Sequence, residues 1–221
     1  PKVLSETAES LGPPLAVVFQ ESMAAGEVPS DWKLGEVVPI FKKGSKQVPA
    51  NYRPVSLTAV PCKVLESIVR DSIMDHLSAT NQLHDSQHGF RPRRSCATQL
   101  LTTLEDWTAA IESGAPVDAI YLDFSKAFDT VPHQRLLCKL RAYGVGPKLL
   151  SWIRSFLSGR RQRVVLNGSH SGWAPVSSGV PQGSVLGPLL FVLFVNDLPD
   201  VVQSRIMMFA DDAKLYRPIR D

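Results

Sequence analysis

The chain has little cysteine, little net charge and no long apolar run. Its three cysteines, Cys62, Cys96 and Cys138, lie 34 and 42 residues apart, and no CxxC pair occurs. That spacing excludes a zinc ribbon and a disulfide framework, so buried free thiols in a reducing compartment are the simplest expectation. No signal peptide opens the sequence, which points to an intracellular chain of the nucleus or cytoplasm rather than a secreted one. The apolar stretch from Val185 to Val195 contains Gly187 and Pro188 and is too short to span a bilayer, so no membrane is expected. Gly44-Ser45-Lys46 lacks the glycines of a phosphate loop. His84 and His88 are four apart, as in a zinc protease helix, but the required Glu is missing and Gly89 follows. A net charge of +3 says little about partners, although Lys33 to Arg94 holds ten basic residues against five acidic ones. Such a stretch is either a solvated surface or a lining for a polyanion.

What is present is an acidic pair in an apolar setting. Phe209-Ala210-Asp211-Asp212 interrupts the run that begins at Ile206. Carboxylates at the edge of a core are unfavourable unless a cation neutralises them. A third carboxylate, Asp123, ends the strand-like segment Val117 to Leu122. As an isolated residue it reads as a helix cap. Together with Asp211, 88 residues later and also at a strand end, it offers the separated carboxylates that a two-metal phosphoryl-transfer site needs. Between them lies Ser178-Gly179-Val180-Pro181-Gln182-Gly183-Ser184. Gly183 permits close backbone approach, and Gln182 can donate and accept hydrogen bonds. Lys42, Lys43, Arg53 and Arg91 are the basic candidates, arginine being suited to phosphate by its planar fork.

The periodicity is mixed α+β, without repeats. Helical segments occupy residues 3–25, with a break expected at Gly12-Pro13-Pro14. Strands are expected at 37–41, 55–57 and 117–122, and hairpins at 162–173 and 206–216. Helices are expected from Pro61 to Leu77, from Leu100 to Gly114, from Gln134 to Leu157 with a break at Gly144 to Pro147, and from Val185 to Leu198.

Six strings in order, PIFKKG at 39–44, NYRPVSL at 51–57, QHGFR at 87–91, LDFSKAFDTVPH at 122–133, GVPQGSVLGPLLF at 179–191 and FADD at 209–212, resemble the reverse transcriptase of non-LTR (LINE-type, jockey-like) retrotransposons. The resemblance implies an α+β right-hand polymerase fold of fingers and palm, with the thumb absent. Residues 1–31 would precede the fingers, 32–94 and 132–178 would form fingers, and 95–131 and 179–221 would form a palm truncated after the FADD motif. The start at Pro1 and the end soon after Asp212 read as cuts through a longer polyprotein with an endonuclease and a thumb.

The implied activity is RNA-directed DNA synthesis, joining a deoxynucleoside triphosphate to the 3′-hydroxyl of a DNA primer on an RNA template. Asp123, the backbone carbonyl of Phe124, and Asp211 would hold two Mg²⁺ ions, for which Mn²⁺ could substitute, with Asp212 beside them. Phe128 would be the gate against a ribose 2′-hydroxyl. Gln182 and Gly183 would meet the incoming nucleotide, Arg53 and one of Lys42 or Lys43 its triphosphate, and Arg91 the template strand or the fingers scaffold. His133 would belong to a structural turn. The alternatives are a group II intron maturase-type reverse transcriptase and an inactive RNA-binding remnant.

Overall fold

The computed structural model describes residues 5–219. The expected helix start at Val3 and the outermost residues of segments 1–31 and 179–221 lie outside them. The chain begins with α1 (Ala8–Ala25), β1 (Leu34–Phe41), β2 (Tyr52–Leu57), α2 (Val60–Ala79) and α3 (Cys96–Glu112). It continues with β3 (Val117–Asp123), α4 (His133–Ala142), α5 (Pro147–Leu157), β4 (Arg161–Leu166), β5 (Ser169–His170) and β6 (Ala174–Pro175). α6 (Gly187–Val195), β7 (Arg205–Phe209) and β8 (Asp212–Pro218) complete it.

Two sheets result. β2 and β1 pair antiparallel, with Ile40 opposite Arg53, and β4 joins β1 in parallel, with Leu34 opposite Arg161. β5 and β6 both pair with β4. The second sheet is antiparallel in the order β3-β8-β7. α3 packs on β3 and β7, and α4 packs on both α5 and α6. α6 reads GPLLFVLFV and is apolar all round, so it has no face to give to water. Leu189, Leu190, Phe191, Val192 and Leu193 are all buried there, among Leu136 and Leu140 of α4 and Trp152 and Phe156 of α5. A smaller apolar cluster, Ile206, Met208 and Ala213, backs the β7–β8 hairpin.

Three expectations need correction. The break at Gly12-Pro13-Pro14 does not occur, because α1 runs through both prolines. Proline removes a helical donor, but the first half of α1 is solvent-exposed, so carbonyls left without a partner there meet water. The second half is fixed by the Trp152 indole, which donates to Ser22 Oγ at 2.9 Å. The thiols are not all buried: Cys62 is, whereas Cys96 and Cys138 are exposed. Cys96 opens α3 just after its cap Ser95, and Cys138 sits on α4 opposite the buried side made by Leu136, Leu137 and Leu140. Third, Asp211 does not close a strand, as its geometry below shows.

α3 forms where its apolar spacing predicts, but with an unexpected inner face. It buries Gln99, Thr103 and Ala110 and leaves Leu100, Leu101, Leu104 and Ile111 exposed. The buried Thr103 hydroxyl donates to the carbonyl of Gln99 at 2.9 Å, whereas the indole N–H of Trp107, one turn further on, is buried without a partner among the described residues. Ser95 and Thr98 form a capping box at its start. Among the described residues no helix is long and apolar enough to cross a membrane.

Candidate active site

β7 and β8 form a tight hairpin in which Phe209 faces Asp212 across a two-residue turn, Ala210-Asp211. Ala210 has φ +56° and Asp211 has no positive φ. A positive φ at the first central residue alone is the type II′ pattern, normally occupied by glycine. Asp211 therefore lies in the turn. The residue of this hairpin that faces Asp123 is Asp212, since β3 pairs with β8 and its last residue stands opposite the first residue of β8. Directly opposed residues share a face of the sheet, about 5 Å apart at Cβ. Two carboxylates thus share one sheet end, and a third follows in the turn.

None of Asp123, Asp211 and Asp212 takes part in an ion pair among the described residues. Like charges placed opposite each other destabilise a sheet, so this end calls for a cation. Among the described residues no three His, Cys, Asp or Glu side chains gather into a ready-made metal cluster. The donors are all hard oxygens, which fits Mg²⁺, an ion usually held by one or two carboxylates plus substrate phosphate and water.

Beside this end opens a cleft of about 310 Å³ lined by Arg53, Phe90, Phe128, Pro181, Gln182, Gly183, Pro188 and Asp211. Five residues singled out in the sequence meet in it, from segments far apart in the chain. Lys42, Lys43, Asp123, Asp212 and Arg91 do not line it. Lys42 and Lys43 are exposed on the loop joining β1 and β2, where the Lys42 N–H donates to the Asn51 carbonyl at 2.9 Å. The Phe124 side chain is partly exposed and lines a different hollow with Phe191 and Phe194. Arg91 donates to the carbonyls of His84 at 2.7 Å and Gln87 at 3.3 Å, so its guanidinium is engaged within its own loop.

The glycine-bearing turn is fixed from several sides. The Ser56 N–H of β2 donates to the Gln182 carbonyl at 2.8 Å. Gly183, at φ +105°, brings its Cα so near β2 that a Cβ would lie 2.4 Å from the Ser56 oxygen. Gly179 and Val180 donate to the carbonyls of Val131 and Phe128. The His133 ring bonds the Gly179 carbonyl at 2.8 Å, a structural use. Buried Glu66 accepts the N–H groups of Val185 at 2.7 Å and Leu186 at 2.9 Å, where α6 begins. Burial pushes the Glu66 carboxyl above its ordinary value and the Arg160 guanidinium below its own. Desolvation likewise raises Asp129, which receives a long 3.4 Å bond from Gln182.

Phe128 stacks on Phe191 at 4.3 Å and 18°, and Phe90 meets its edge at 6.4 Å. Phe191 is buried, so the Phe128 ring leans on the main core. Phe90 is 53% exposed and adopts φ +54°. Its place in the cleft was not anticipated from sequence; a large aromatic next to a glycine in QHGFR was the available signal. Gln87 was likewise missed. It is fully buried and bonded to the Ala210 backbone.

A family model described as reverse transcriptase (RNA-dependent DNA polymerase) matches residues 40–219. The "Probable RNA-directed DNA polymerase from transposon X-element" of Drosophila melanogaster is 35% identical over 204 residues, 90% of this chain and 22% of that protein. The RNA-directed DNA polymerase from mobile element jockey of the same organism is 32% identical over 207 residues, again 90% of this chain and 22% of the relative. The chain thus spans roughly a fifth of the length of these relatives. Candida tropicalis telomerase, solved with a fragment of telomeric RNA, superimposes with a TM-score of 0.63 at 12% identity, covering 96% of this chain and 40% of that one. At that identity the likeness establishes the fold. With the family match extending over most of its length, the chain belongs to the reverse transcriptase (RNA-dependent DNA polymerase) family.

Proposed function

We propose that the chain forms the fingers and palm of an RNA-directed DNA polymerase of a non-LTR mobile element, adding deoxynucleotides to a DNA primer on an RNA template. The observation that carries this reading is the cleft where Arg53, Phe128, Gln182 and Gly183 meet Asp211, at the end of the sheet that bears Asp123 and Asp212. An open cleft bounded by a phosphate-binding arginine, an aromatic wall and a carboxylate suits a nucleoside triphosphate beside a primer end.

Asp123, Asp211 and the backbone carbonyl of Phe124 would hold Mg²⁺, with Asp212 in support. When bound, the two ions supply charge neutralisation at the phosphates and lower the pKa of the primer hydroxyl. The protein's own part is positioning. Arg53 donates its planar fork to phosphate oxygens, and Lys42 or Lys43 on the β1–β2 loop adds a second cation. Gln182 offers its side chain to the nucleotide while its carbonyl is held by β2. The Phe128 ring, leaning on Phe191, forms a wall where a 2′-hydroxyl would stand. Arg91 supports the loop that carries Phe90 and so shapes the template side. RNA, primer and deoxynucleotides occur together in the nucleus and cytoplasm, where such a chain would act.

The test is primer extension on an RNA template, run with the chain alone and with the chain joined to the sequence that follows it in a relative. The joined form is expected to extend, the chain alone weakly or not at all. Asp211→Asn is expected to abolish extension; incorporation at an unchanged rate in that variant would overturn the metal assignment.

A further inference from the structure

The segment before Phe90 runs alongside β7. His88 N–H donates to the Met208 carbonyl at 2.9 Å, and Met208 N–H donates to the Ser86 carbonyl at 2.8 Å, a parallel bridge. One residue further on, β7 ends and the backbone enters the turn at Ala210. There the Gln87 side chain takes over. Its Oε1 accepts the Ala210 N–H at 2.9 Å and the Gly89 N–H at 2.7 Å, and its Nε2 donates to the Ala210 carbonyl at 3.3 Å. The amide orientation is fixed chemically, because a flipped amide would set NH₂ against two N–H donors. Gln87 is 0% exposed. Gly89 allows this close approach, since a Cβ there would lie 2.3 Å from the Ala210 nitrogen.

We propose that Gln87 is a positioning residue for Asp211: its amide clamps both backbone polar groups of Ala210 and so holds the left-handed turn that aims the carboxylate. The inference rests on the metal-site reading above. Ala210 occupies a conformation that an L residue adopts only when its surroundings enforce it, and the residue that enforces it comes from a loop 123 residues away in sequence. The same loop carries Phe90 into the cleft, so one segment sets both the catalytic turn and an aromatic wall.

Mn²⁺ binding to the whole chain, followed by electron paramagnetic resonance, tests this apart from turnover. Gln87→Met keeps an unbranched side chain of similar size and removes all three hydrogen bonds. It is expected to bind Mn²⁺ about tenfold more weakly, the usual lower cost of losing a group that orients a metal ligand, at a temperature where its circular dichroism matches the unmodified chain. In an Ala210→Gly background the same change is expected to lose less than about threefold, because glycine adopts a type II′ turn without enforcement. Unchanged affinity in Gln87→Met, or an equal loss in both backgrounds, would overturn the clamp. Should Gln87→Met fail to fold, Gln87→Asn decides: it keeps the amide but withdraws it by one methylene from Ala210. Weaker Mn²⁺ binding is expected, and equal or tighter binding would overturn the proposal. Asp211→Asn separates the two readings. If it binds Mn²⁺ like the unmodified chain, the metal assignment falls and the clamp with it; if it alone loses Mn²⁺, only the clamp falls.

Discussion

Replacing Phe128 tests the cleft most directly. Its ring is held by a stacked contact with Phe191 and by the edge of Phe90. Phe128→Val removes the stack, worth about 0.5–1.5 kcal/mol, and shortens a half-buried side chain, which costs about 1–2 kcal/mol more. A total loss of about 1.5–3.5 kcal/mol of stability is expected from denaturant unfolding. Packing differences of this size discriminate substrates by about 10–200-fold. The preference for a deoxynucleotide over the matching ribonucleotide is therefore expected to fall about 10–200-fold, read as the ratio of kcat/KM values in single-nucleotide extension. The sharper variant is Phe191→Leu. Phe191 is 2% exposed and does not line the cleft, so it touches no substrate. Its replacement removes the surface on which Phe128 leans, along with core packing that denaturant unfolding registers separately, and about 0.5–1.5 kcal/mol of pinning corresponds to about a 2–12-fold weaker preference. If Phe191→Leu leaves the preference intact while Phe128→Val lowers it, the gate needs no backing and the argument from stacking fails. If neither changes it, Phe128 is not the gate.

Gly183→Ala forces a Cβ against the Ser56 oxygen at a positive φ, so strain and overpacking together are expected to cost about 2–5 kcal/mol, seen as a lower melting temperature. His88 is buried and bonded to Thr98, and desolvation lowers its pKa. The unfolded chain then binds the proton more readily, so this contribution is present above an ordinary histidine pKa of about 6.5 and is lost as pH falls through it. His88→Gln is expected to remove that dependence, which thermal melts from pH 8 to 5 would show as a difference from the unmodified chain that shrinks on acidification. Burial pushes the Cys62 thiol up to about 12, so a thiol reagent near neutral pH is expected to titrate two cysteines quickly and the third only after denaturation; three fast thiols would contradict the core around α2.

What was legible in the sequence was whatever repeats along the chain. The short apolar segment Val117 to Leu122 and the turn after Phe209 gave β3 and the β7–β8 hairpin within a residue or two. The all-apolar GPLLFVLFV gave a buried helix. What escaped depended on partners elsewhere. Gly12-Pro13-Pro14 is a sound breaker locally, and only the Trp152–Ser22 contact and an exposed first half explain why α1 continues. The leucines of α3 have helical spacing, but spacing does not tell which face meets the sheet, and the polar one does. Register was also invisible: it is Asp212, not Asp211, that faces Asp123. Gln87 has no local signature at all, since its partner is a backbone far along the chain.

The way these distant parts are joined explains how one cleft can be both open and exact. The two sheets share no strand, and the residues that would meet the triphosphate belong to β2 and the loop before it, while the carboxylate belongs to the β7–β8 turn. The glycine-bearing turn spans the gap. It lies on the edge of β2 through Ser56 and Gln182, and Val180 donates to the Phe128 carbonyl at 2.8 Å. It then enters α6 under the Glu66 carboxylate. The bonds to Ser56 and Phe128 run from backbone to backbone, so the spacing between Arg53 and Phe128 is set by main-chain geometry rather than by adjustable side chains. At Gly183 the turn comes so near β2 that any side chain would meet the Ser56 carbonyl and push β2 away from the gate. A Gly183 substitution should therefore loosen nucleotide binding and ribose discrimination together, whereas an Arg53 substitution should affect binding alone. Kinetics in which Gly183→Ala raised KM but left the deoxy-to-ribo preference untouched would show that the two sides of the cleft move independently.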